Sequence, residues 1–530
     1  MRRRVLAHWG AVLLLVGALL LSACSSSEGD EASTDTTTAG GSDVDPNGVL
    51  RLGFDLNQSG VPWEFNPLRF VTGGAGNNDG IWFLAYGRLM RPTLDGAVEP
   101  DLAESVEIVD KNTIDVTLRE GLTFSDGSVL DANAVKASYE AVLAAEADNT
   151  MGFLPAFYKL KTITVTSPTT LTFGFPEGTA ASWFDQYIPT FASSIFKFGV
   201  SDPRTPIGAG AYTISNYSSG QTVTLEKNPT YWNADNVKVA KIELESVAFS
   251  QAQQGLNGLR AGQLDVTFTE PALIDGITGN LEVIDKVSPY SAAMMAFCKS
   301  EGPLADVRVR KAINKGMDRE AISEAVYYGT AEPMTEPWPE GHRLYNPEVG
   351  DELAYDPEGA KALLQEAGYG NGVSIDMYPI QAFNLDETAE VVQAQLAEIG
   401  ITINIVPTPD YVNGYLSPKK PAIGVYPSNV PGPQKVAPWS GNSMANNCGY
   451  QNAEIDQLVK QLDGVSEQSE EAVQVWHDID AFVAEEAPSG FIVFRADIGA
   501  YNTDTVGDMQ LWPLGNWIVP DPWTTYIKGS

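Results

Sequence analysis

The chain has 530 residues, of which 43% are hydrophobic and 19% are charged, and its formal net charge is −35. This length and apolar content are sufficient for several domain-sized units with buried cores. The strong negative charge excludes nucleic acid as an expected partner, because the phosphate backbone would repel such a surface. It also argues against broad adhesion to an anionic membrane surface.

The extreme N-terminus has the pattern of an export signal. Arginines at positions 2–4 precede an unbroken apolar run over 11–21. The run is too short to span a bilayer, because spanning takes about 20 residues. A positive segment followed by such a run is typical of a signal peptide. We therefore expect residues 1–23 to be removed from the mature protein.

The end of this signal, Leu21-Ser22-Ala23-Cys24, resembles a bacterial lipobox. The resemblance implies cleavage before Cys24 and lipidation of its thiol. The exported chain would then be held on the outer face of the bacterial cytoplasmic membrane. Residues 24–47 are mostly Ser, Thr, Gly and acidic residues, so they are predicted to form a flexible tether.

Apolar periodicity after the tether predicts alternating strands and helices in the first half of the chain. The predicted elements are a strand over 50–54, an apolar helix over 82–90, a strand over 114–118 and a helix over 131–144. Asp131 is expected to cap the last of these helices, since its carboxylate can accept from the first free amides.

The clearest helix of the second half lies within residues 302–322. Its apolar residues fall at helical spacing, namely Val309, Ala312, Ile313 and Gly316, and Asp306 precedes them as a cap. The opposite face carries Arg308, Arg310, Lys311 and Lys315. Charged faces of this kind are usually solvated, so we expect these side chains to be exposed.

A strand–helix–strand unit follows over 373–405. Alternating apolar residues predict strands at both ends, and an apolar stripe at helical spacing predicts a helix between them that ends at Gly400. This βαβ order predicts an α/β lobe independently of any resemblance. Further helices are predicted after Asp356, over 455–462 and over 473–484.

Short motifs recur in a fixed order along most of the mature chain. They are Pro100-Asp101-Leu102-Ala103-Glu104-Ser105, the stretch from Leu118-Arg119 to Asp126-Gly127, Pro206 to Tyr212, Lys227 to Trp232, Gly262 to Asp265, and Gly302 to Ile322. Together they resemble the extracellular solute-binding proteins of the peptide/nickel family, family 5. These proteins are the receptor subunits of bacterial ATP-driven importers. The Arg and Asp of the motifs are expected to hold turns rather than ligands.

The resemblance implies an α/β, two-lobed fold of the periplasmic-binding-protein type, of the large kind with an extra subdomain in the first lobe, and a hinged cleft. The implied boundaries are 48–288 for lobe I, with an inserted subdomain at about 76–204, 289–491 for lobe II, and 492–530 for the return to lobe I. Ligand would bind between the lobes and favour the closed form.

The implied function is capture of a peptide or peptide-like small molecule and its delivery to a membrane permease, with import driven by a partner ATPase. We expect a monomer without a cofactor or a bound metal. One alternative is an envelope lipoprotein that has the same fold but serves biosynthesis or sensing. Another is an exported hydrolase, although none of the motifs H-E-x-x-H, G-x-S-x-G and C-x-x-C occurs.

The resemblance also implies where ligand contacts lie. The candidate ligand-binding residues are Trp63, Phe268, Thr269, Trp439, Asn442 and Arg495. For Trp63 packing beneath a loop is an open alternative, and for Arg495 a surface ion pair. Many peptide-binding relatives place an Asp in the region 411–448 to pair with the peptide ammonium, but no Asp lies between Asp410 and Asp456. We therefore hypothesise a ligand that needs no free ammonium.

Two cysteines remain if Cys24 carries lipid. Cys298 and Cys448 are an even pair in an oxidising compartment, which favours a disulfide. Some peptide-binding relatives carry a disulfide between the same two regions of the second lobe. Two buried free thiols are the alternative.

Overall fold

The computed structural model describes residues 44–56, 79–93, 98–147, 159–175, 178–187, 193–197, 207–248, 251–349, 352–408, 411, 414–415, 420–428, 432–441, 446–511 and 519–529. The predicted signal peptide, the predicted lipidation site Cys24 and most of the predicted tether lie outside these residues. So do Trp63 and Asn442.

The described helices have ten bounded segments in chain order. They are α1 (Asp79–Ala85), α2 (Ala132–Ala147), α3 (Ala180–Tyr187), α4 (Ala252–Arg260), α5 (Val307–Lys315), α6 (Arg319–Tyr327), α7 (Pro357–Glu366), α8 (Leu385–Glu398), α9 (Ala453–Leu462) and α10 (Glu470–Glu486).

The strands of the first half are β1 (Val49–Phe54), β2 (Met90–Pro92), β3 (Val98–Pro100), β4 (Ala103–Asp110), β5 (Thr113–Leu118), β6 (Thr162–Ser167), β7 (Thr170–Gly174), β8 (Tyr212–Ser218), β9 (Thr222–Lys227), β10 (Lys241–Ser246) and β11 (Val266–Phe268). Those of the second half are β12 (Leu281–Phe297), β13 (Glu332–Pro333), β14 (Val373–Pro379), β15 (Ile401–Ile405), β16 (Ile423–Ser428), β17 (Ser489–Asn502), β18 (Val506–Gly507) and β19 (Tyr526–Ile527).

One long sheet runs through both lobes. Its order is β15-β14-β16-β12-β17-β11-β1-β10-β9-β8, with β13 beside β17. The long strands β12 and β17 pair antiparallel from Leu281 opposite Asn502 to Ala296 opposite Ser489. A register shift between Val287 and Ala292 interrupts this ladder. A separate four-stranded sheet, β4-β5-β7-β6, belongs to the first half of the chain.

The hydrophobic cores separate along this sheet. One core draws its buried residues from 50–281 and regains the chain at Ala500, Val506, Leu511 and Val519. Two further cores lie on either side of the second-lobe part of the sheet, one beneath α5, α6 and α8 and the other beneath α9 and α10. The architecture is therefore a two-lobed α/β fold whose lobes share the strands β12 and β17.

Several of the sequence motifs meet at one buried contact in the first lobe. Asp101 accepts hydrogen bonds from the Tyr231 hydroxyl (2.7 Å) and the Trp232 indole (2.9 Å). Arg119 donates to the Asp101 carbonyl at 2.7 Å, and its guanidinium lies 3.7 Å from the centre of the Trp232 ring. These motif residues hold the first lobe together, as expected for turn-holding rather than ligand-binding positions.

The helix predicted over 82–90 is shorter in the structure, because α1 ends at Ala85. The carbonyls of Ala85 and Gly87 accept from the amides of Gly210 and Ile195 instead of continuing the helix. A β-carbon on Gly210 would lie 2.5 Å from the Leu84 carbonyl oxygen. The glycine therefore permits the close approach that ends α1.

Arg310 corrects the expectation of a fully solvated charged face on α5, since it is only 2% exposed. Its guanidinium donates to the carbonyls of Glu486 (2.6 Å), Ala487 (3.1 Å) and Leu304 (3.1 Å). It thereby satisfies orphan carbonyls at the end of α10. The Asp306 cap agrees with the prediction, because its carboxylate accepts from the Arg308 amide at 2.9 Å.

A disulfide joins Cys298, which follows β12, to Cys448 in the segment before α9, with the two Cα atoms 5.3 Å apart. The bond closes a loop with a sequence separation of 150 residues. In the chain-entropy description such a bond restricts the unfolded chain, and the restriction increases with loop length.

Replacement of both cysteines by serine is expected to lower the free energy of unfolding by up to about 5 kcal/mol. Urea unfolding of the double variant measures the loss, and the unaltered protein under reducing conditions should show the same loss. A difference below about 1 kcal/mol between the variant and the oxidised protein would contradict a stabilising bond.

Candidate functional site

Opposed strand ends define a crevice between the lobes. In the first lobe the parallel strands β1, β10 and β11 end at Phe54, Ser246 and Phe268, and in the second lobe the parallel strands β14, β15 and β16 end at Pro379, Ile405 and Ser428. Antiparallel pairing of both sets with β12 and β17 turns these ends toward each other. Ligands of open α/β sheets bind outside the carboxyl ends of the strands. This crevice is therefore the candidate site.

A cavity opens on the second-lobe side of the crevice, with about 250 Å³ of empty space that is partly open to solvent. Its lining combines apolar side chains with an ammonium, a phenol and a hydroxyl. The lining residues that matter here are Tyr290, Met294, Ser428, Lys435, Trp439 and Phe491.

Lys435 is the charged group of this cavity and is only 7% exposed. Its ammonium donates to the carbonyls of Pro289 and Pro337, and it lies 4.0 Å from the centre of the Trp338 ring. Burial lowers the pKa of Lys435 to about 7. An ammonium has three donors, and within the described residues carbonyls take two of them. Lys435 can therefore donate to an acceptor atom in the cavity.

Trp439 lines the same cavity but is fully buried. Its indole donates to the Ser489 hydroxyl at 2.7 Å, and its ring meets that of Phe491 edge-on at 6.0 Å. The indole nitrogen is thus used within the protein, and the side chain offers only an apolar surface. Asn446, another polar residue of this region, is also used internally, because its amide donates to the carbonyls of Ser440 and Tyr450.

Arg495 lies on β17 where the chain passes between the lobes, and it is 8% exposed. Its guanidinium donates to the Ser291 hydroxyl at 3.1 Å and lies 5.0 Å from the centre of the Phe383 ring. Burial raises the pKa of neighbouring Asp497 to about 7, although the Arg495 charge opposes this rise. The alternative of an exposed surface ion pair for Arg495 does not hold, because the side chain is buried.

Phe268 and Thr269 lie on the opposite, first-lobe side of the crevice. Phe268 packs into the first-lobe core, and the Thr269 amide donates to the Ile498 carbonyl at 3.0 Å. The Thr269 hydroxyl is buried without a hydrogen-bond partner among the described residues. The structure thus places Trp439 in the cavity and Arg495 at the crossing strands, while neither Phe268 nor Thr269 lines the cavity.

Sequence reasoning missed Lys435 and Tyr290. Lys435 could have been found, since it is the one Lys, Arg or His between Lys420 and Lys460. Tyr290 carried no comparable signal. It reaches the cavity because the register shift between Val287 and Ala292 displaces the strand at that point.

The lobes also touch beyond the cavity. Asp185 on α3 accepts hydrogen bonds from the Glu467 amide and from the Ser466 hydroxyl (3.2 Å), which lie between α9 and α10. Lys159 forms an ion pair with Asp463 across the same boundary. These contacts join the extra subdomain of the first lobe to the second lobe.

The described residues offer one group of three close metal-type ligands, Cys298, Glu301 and Cys448. Two of its members form the disulfide, which removes the thiolates that a metal would need. None of the described helices is long and apolar enough to cross a membrane.

A buried carboxyl pair lies beneath the cavity. Glu336 and Asp480 are both nearly inaccessible, and Glu336 accepts from the Asn346 amide at 3.3 Å. Burial raises the pKa of Glu336 to about 7, while burial and then the Glu336 charge hold the pKa of Asp480 well above its usual range. The folded protein therefore keeps protons that the unfolded chain releases near pH 4 to 5.

Stability is consequently expected to fall as pH rises from about 5 to about 8, with Glu336 contributing up to about 3 kcal/mol of the loss. Glu336→Gln should unfold less readily than the unaltered protein at pH 8 and should show a weaker pH dependence. Urea unfolding at both pH values measures this. The exposed Glu340→Gln serves as the control, and a Glu336→Gln protein with the unaltered pH slope would contradict the account.

Comparisons with known proteins agree with this geometry. The profile of the bacterial extracellular solute-binding proteins, family 5, matches residues 97–442. Heme-binding protein A of Haemophilus influenzae is 26% identical and aligns with 90% of this chain and 92% of its own. Di/tripeptide-binding protein 1 of Pseudomonas aeruginosa is 25% identical over 66% of this chain and 70% of its own.

Among solved structures, the ABC transporter substrate-binding protein CtaP of Listeria monocytogenes superposes with a TM-score of 0.76. It is 22% identical, and the alignment covers 91% of this chain and 100% of that one. The match supports the two-lobed fold. Because the family profile spans well over half of the chain, the protein belongs to the bacterial extracellular solute-binding proteins of family 5.

Proposed function

We propose that this protein is an extracytoplasmic receptor that captures a peptide or peptide-like small molecule in the interlobe crevice. The closed receptor delivers it to the permease of an ATP-driven importer. The observation that carries the proposal is the pair of opposed strand edges, with a cavity and buried cationic side chains where they meet. The fold family supports binding rather than catalysis.

The crevice chemistry favours a ligand rich in acceptor atoms. Lys435 and Arg495 present donors, and Tyr290 and Ser428 present hydroxyls. The second-lobe segment 411–455 contains no Asp to pair with an ammonium. Carbonyl or carboxylate oxygens would satisfy these donors, and hydrogen bonds to charged groups are the stronger ones. The proposed ligand therefore needs no free amino group.

Closure is proposed to pivot where the chain crosses between the lobes, near residue 289 and again near residue 491. β12 and β17 make both crossings, and their register shift lies beside the first of them. Such a break in a ladder is a natural place for a hinge, because it interrupts the hydrogen bonds that stiffen the strands. We further propose a monomer that is anchored through lipid on Cys24.

Native mass spectrometry of the mature chain without its lipid anchor, purified from rich medium, tests the receptor role. A co-purified mass that is released on denaturation is the expected result. A protein that is empty and remains unshifted in a thermal screen of peptides, sugars and metal chelates would overturn the proposal. Release of ordinary peptides with free N-termini would overturn the part that concerns the ammonium.

Lys435→Met is expected to reduce occupancy by the co-purified mass at least tenfold, because a hydrogen bond to a charged group contributes about 1.5–3 kcal/mol. The melting temperature of the empty variant should be unchanged or higher, since a buried charge is removed. The exposed Lys460→Met of the same lobe is the matched control. Unchanged occupancy in Lys435→Met would exclude this lysine from the site.

A further inference from the structure

The contact between α3 and the segment before α10 brings two carboxyl groups together, one from each lobe. Asp185 is held by the Glu467 amide and the Ser466 hydroxyl. The side chain of Glu467 lies against Gly432, in the space that a β-carbon would fill there. Asp185 and Glu467 line one cavity with about 210 Å³ of empty space, together with Ser182, Leu462 and Trp476.

The charges around this pair do not neutralise it by direct contact. Within the described residues neither carboxylate forms an ion pair with a lysine or arginine. Lys435 is engaged with backbone carbonyls and the Trp338 ring, and Arg343 donates to the carbonyls of Gln468 and Ser469.

The other titratable groups near the contact are Tyr290 and His342 on the second lobe and the ion pair of Lys159 with Asp463. Tyr290 and His342 are neutral at pH 5 to 8, since burial raises the pKa of the phenol and lowers that of His342 to about 4. Lys159 and Asp463 neutralise each other. The Asp185 and Glu467 carboxyls therefore face each other across a largely enclosed space without a fixed counter-ion in contact.

Two like charges in such a space disfavour the doubly ionised form. Burial raises the pKa of Asp185 to about 6. Burial and then the Asp185 charge raise the pKa of Glu467 to about 7. When the lobes separate, both groups meet water, and their pKa values are expected to return toward the usual range near 4.

We propose that Asp185 and Glu467 together form a proton-binding site that is complete only when the lobes are closed, so that closure takes up a proton. The inference relies on the hinged closure of the proposed function but requires no ligand. Lower pH then favours the closed form, and a rise in pH favours opening and release of whatever the cleft holds.

Linkage sets the expected size of the effect. For each proton taken up, the ratio of closed to open molecules changes by up to about tenfold per pH unit between the open-state and closed-state pKa values. That window lies at about pH 4 to 7 for this pair. Asp497, Lys435 and the pair of Glu336 with Asp480 titrate in part of the same range. Variants must therefore isolate the contribution of the contact.

The test is an energy-transfer measurement on the mature, ligand-free chain. Dyes are attached at Glu140→Cys on α2 and Glu454→Cys on α9, which place one label on each lobe at exposed positions. The closed fraction is followed from pH 8 to pH 5 and is expected to rise by at least tenfold in closed-to-open ratio. Circular dichroism at each pH confirms that every variant is folded.

Asp185→Asn and Glu467→Gln remove the charge repulsion, and the Asn carbonyl can still accept from the Glu467 amide. Each variant is expected to be more closed at pH 8 and to lose most of the pH dependence. The matched control is Asp463→Asn, which breaks the neighbouring ion pair with Lys159. It should reduce closure throughout and keep the pH dependence.

A flat response of the unaltered protein would overturn the inference. So would an unaltered pH dependence in both Asp185→Asn and Glu467→Gln. Failure of the proposed function gives a different pattern, in which the ligand-free protein closes on acidification but no co-purified or screened molecule binds.

Discussion

The antiparallel pairing of β12 with β17 is the constraint on which the rest of the molecule depends. These two strands continue one sheet through both lobes, and every other strand of that sheet takes its direction from them. Because β11 pairs with β17 in the first lobe and β16 pairs with β12 in the second, both sets of parallel strands end at the crossing. The crevice is thus a consequence of strand direction, and loops and side chains only furnish it.

Charged groups are buried around this crossing at a substantial free-energy cost. Lys435, Arg495 and Asp497 lie at the strand ends, and Asp185 and Glu467 lie where the lobes touch. An ordinary core would exclude such groups, because burial of an ionised side chain is unfavourable unless partners compensate. Their concentration at one level of the molecule is the usual mark of a functional region. It also makes the lobe contact sensitive to pH, which an apolar contact would not be.

The sequence was sufficient to predict the fold class, because the periodicity of α5, of α8 and of the strands on either side of α8 is strong and local. The Asp306 and Asp131 caps also follow from local chemistry. Arg310 shows where local reasoning ends. Its position on a charged helix face predicts exposure, but the carbonyls at the end of α10, remote in sequence, bury it.

The site was less predictable for the same reason. Trp439 could be proposed from its unusual segment, yet its role depends on Ser489 and Phe491, which arrive from another strand. Tyr290 enters the cavity through a register shift that no sequence pattern announces. The pairing of Asp185 with Glu467 joins residues that only the closure of two lobes brings together. Trp63 and Asn442 lie outside the described residues and stay predictions.

The most direct test of the central claim is small-angle X-ray scattering of the mature chain at one pH, before and after removal of its co-purified ligand. An account built on hinged lobes predicts a larger radius of gyration for the stripped protein and a return to the smaller value when the ligand is restored. An identical radius in both states, with ligand demonstrably bound in one of them, would contradict closure around the crossing of β12 and β17.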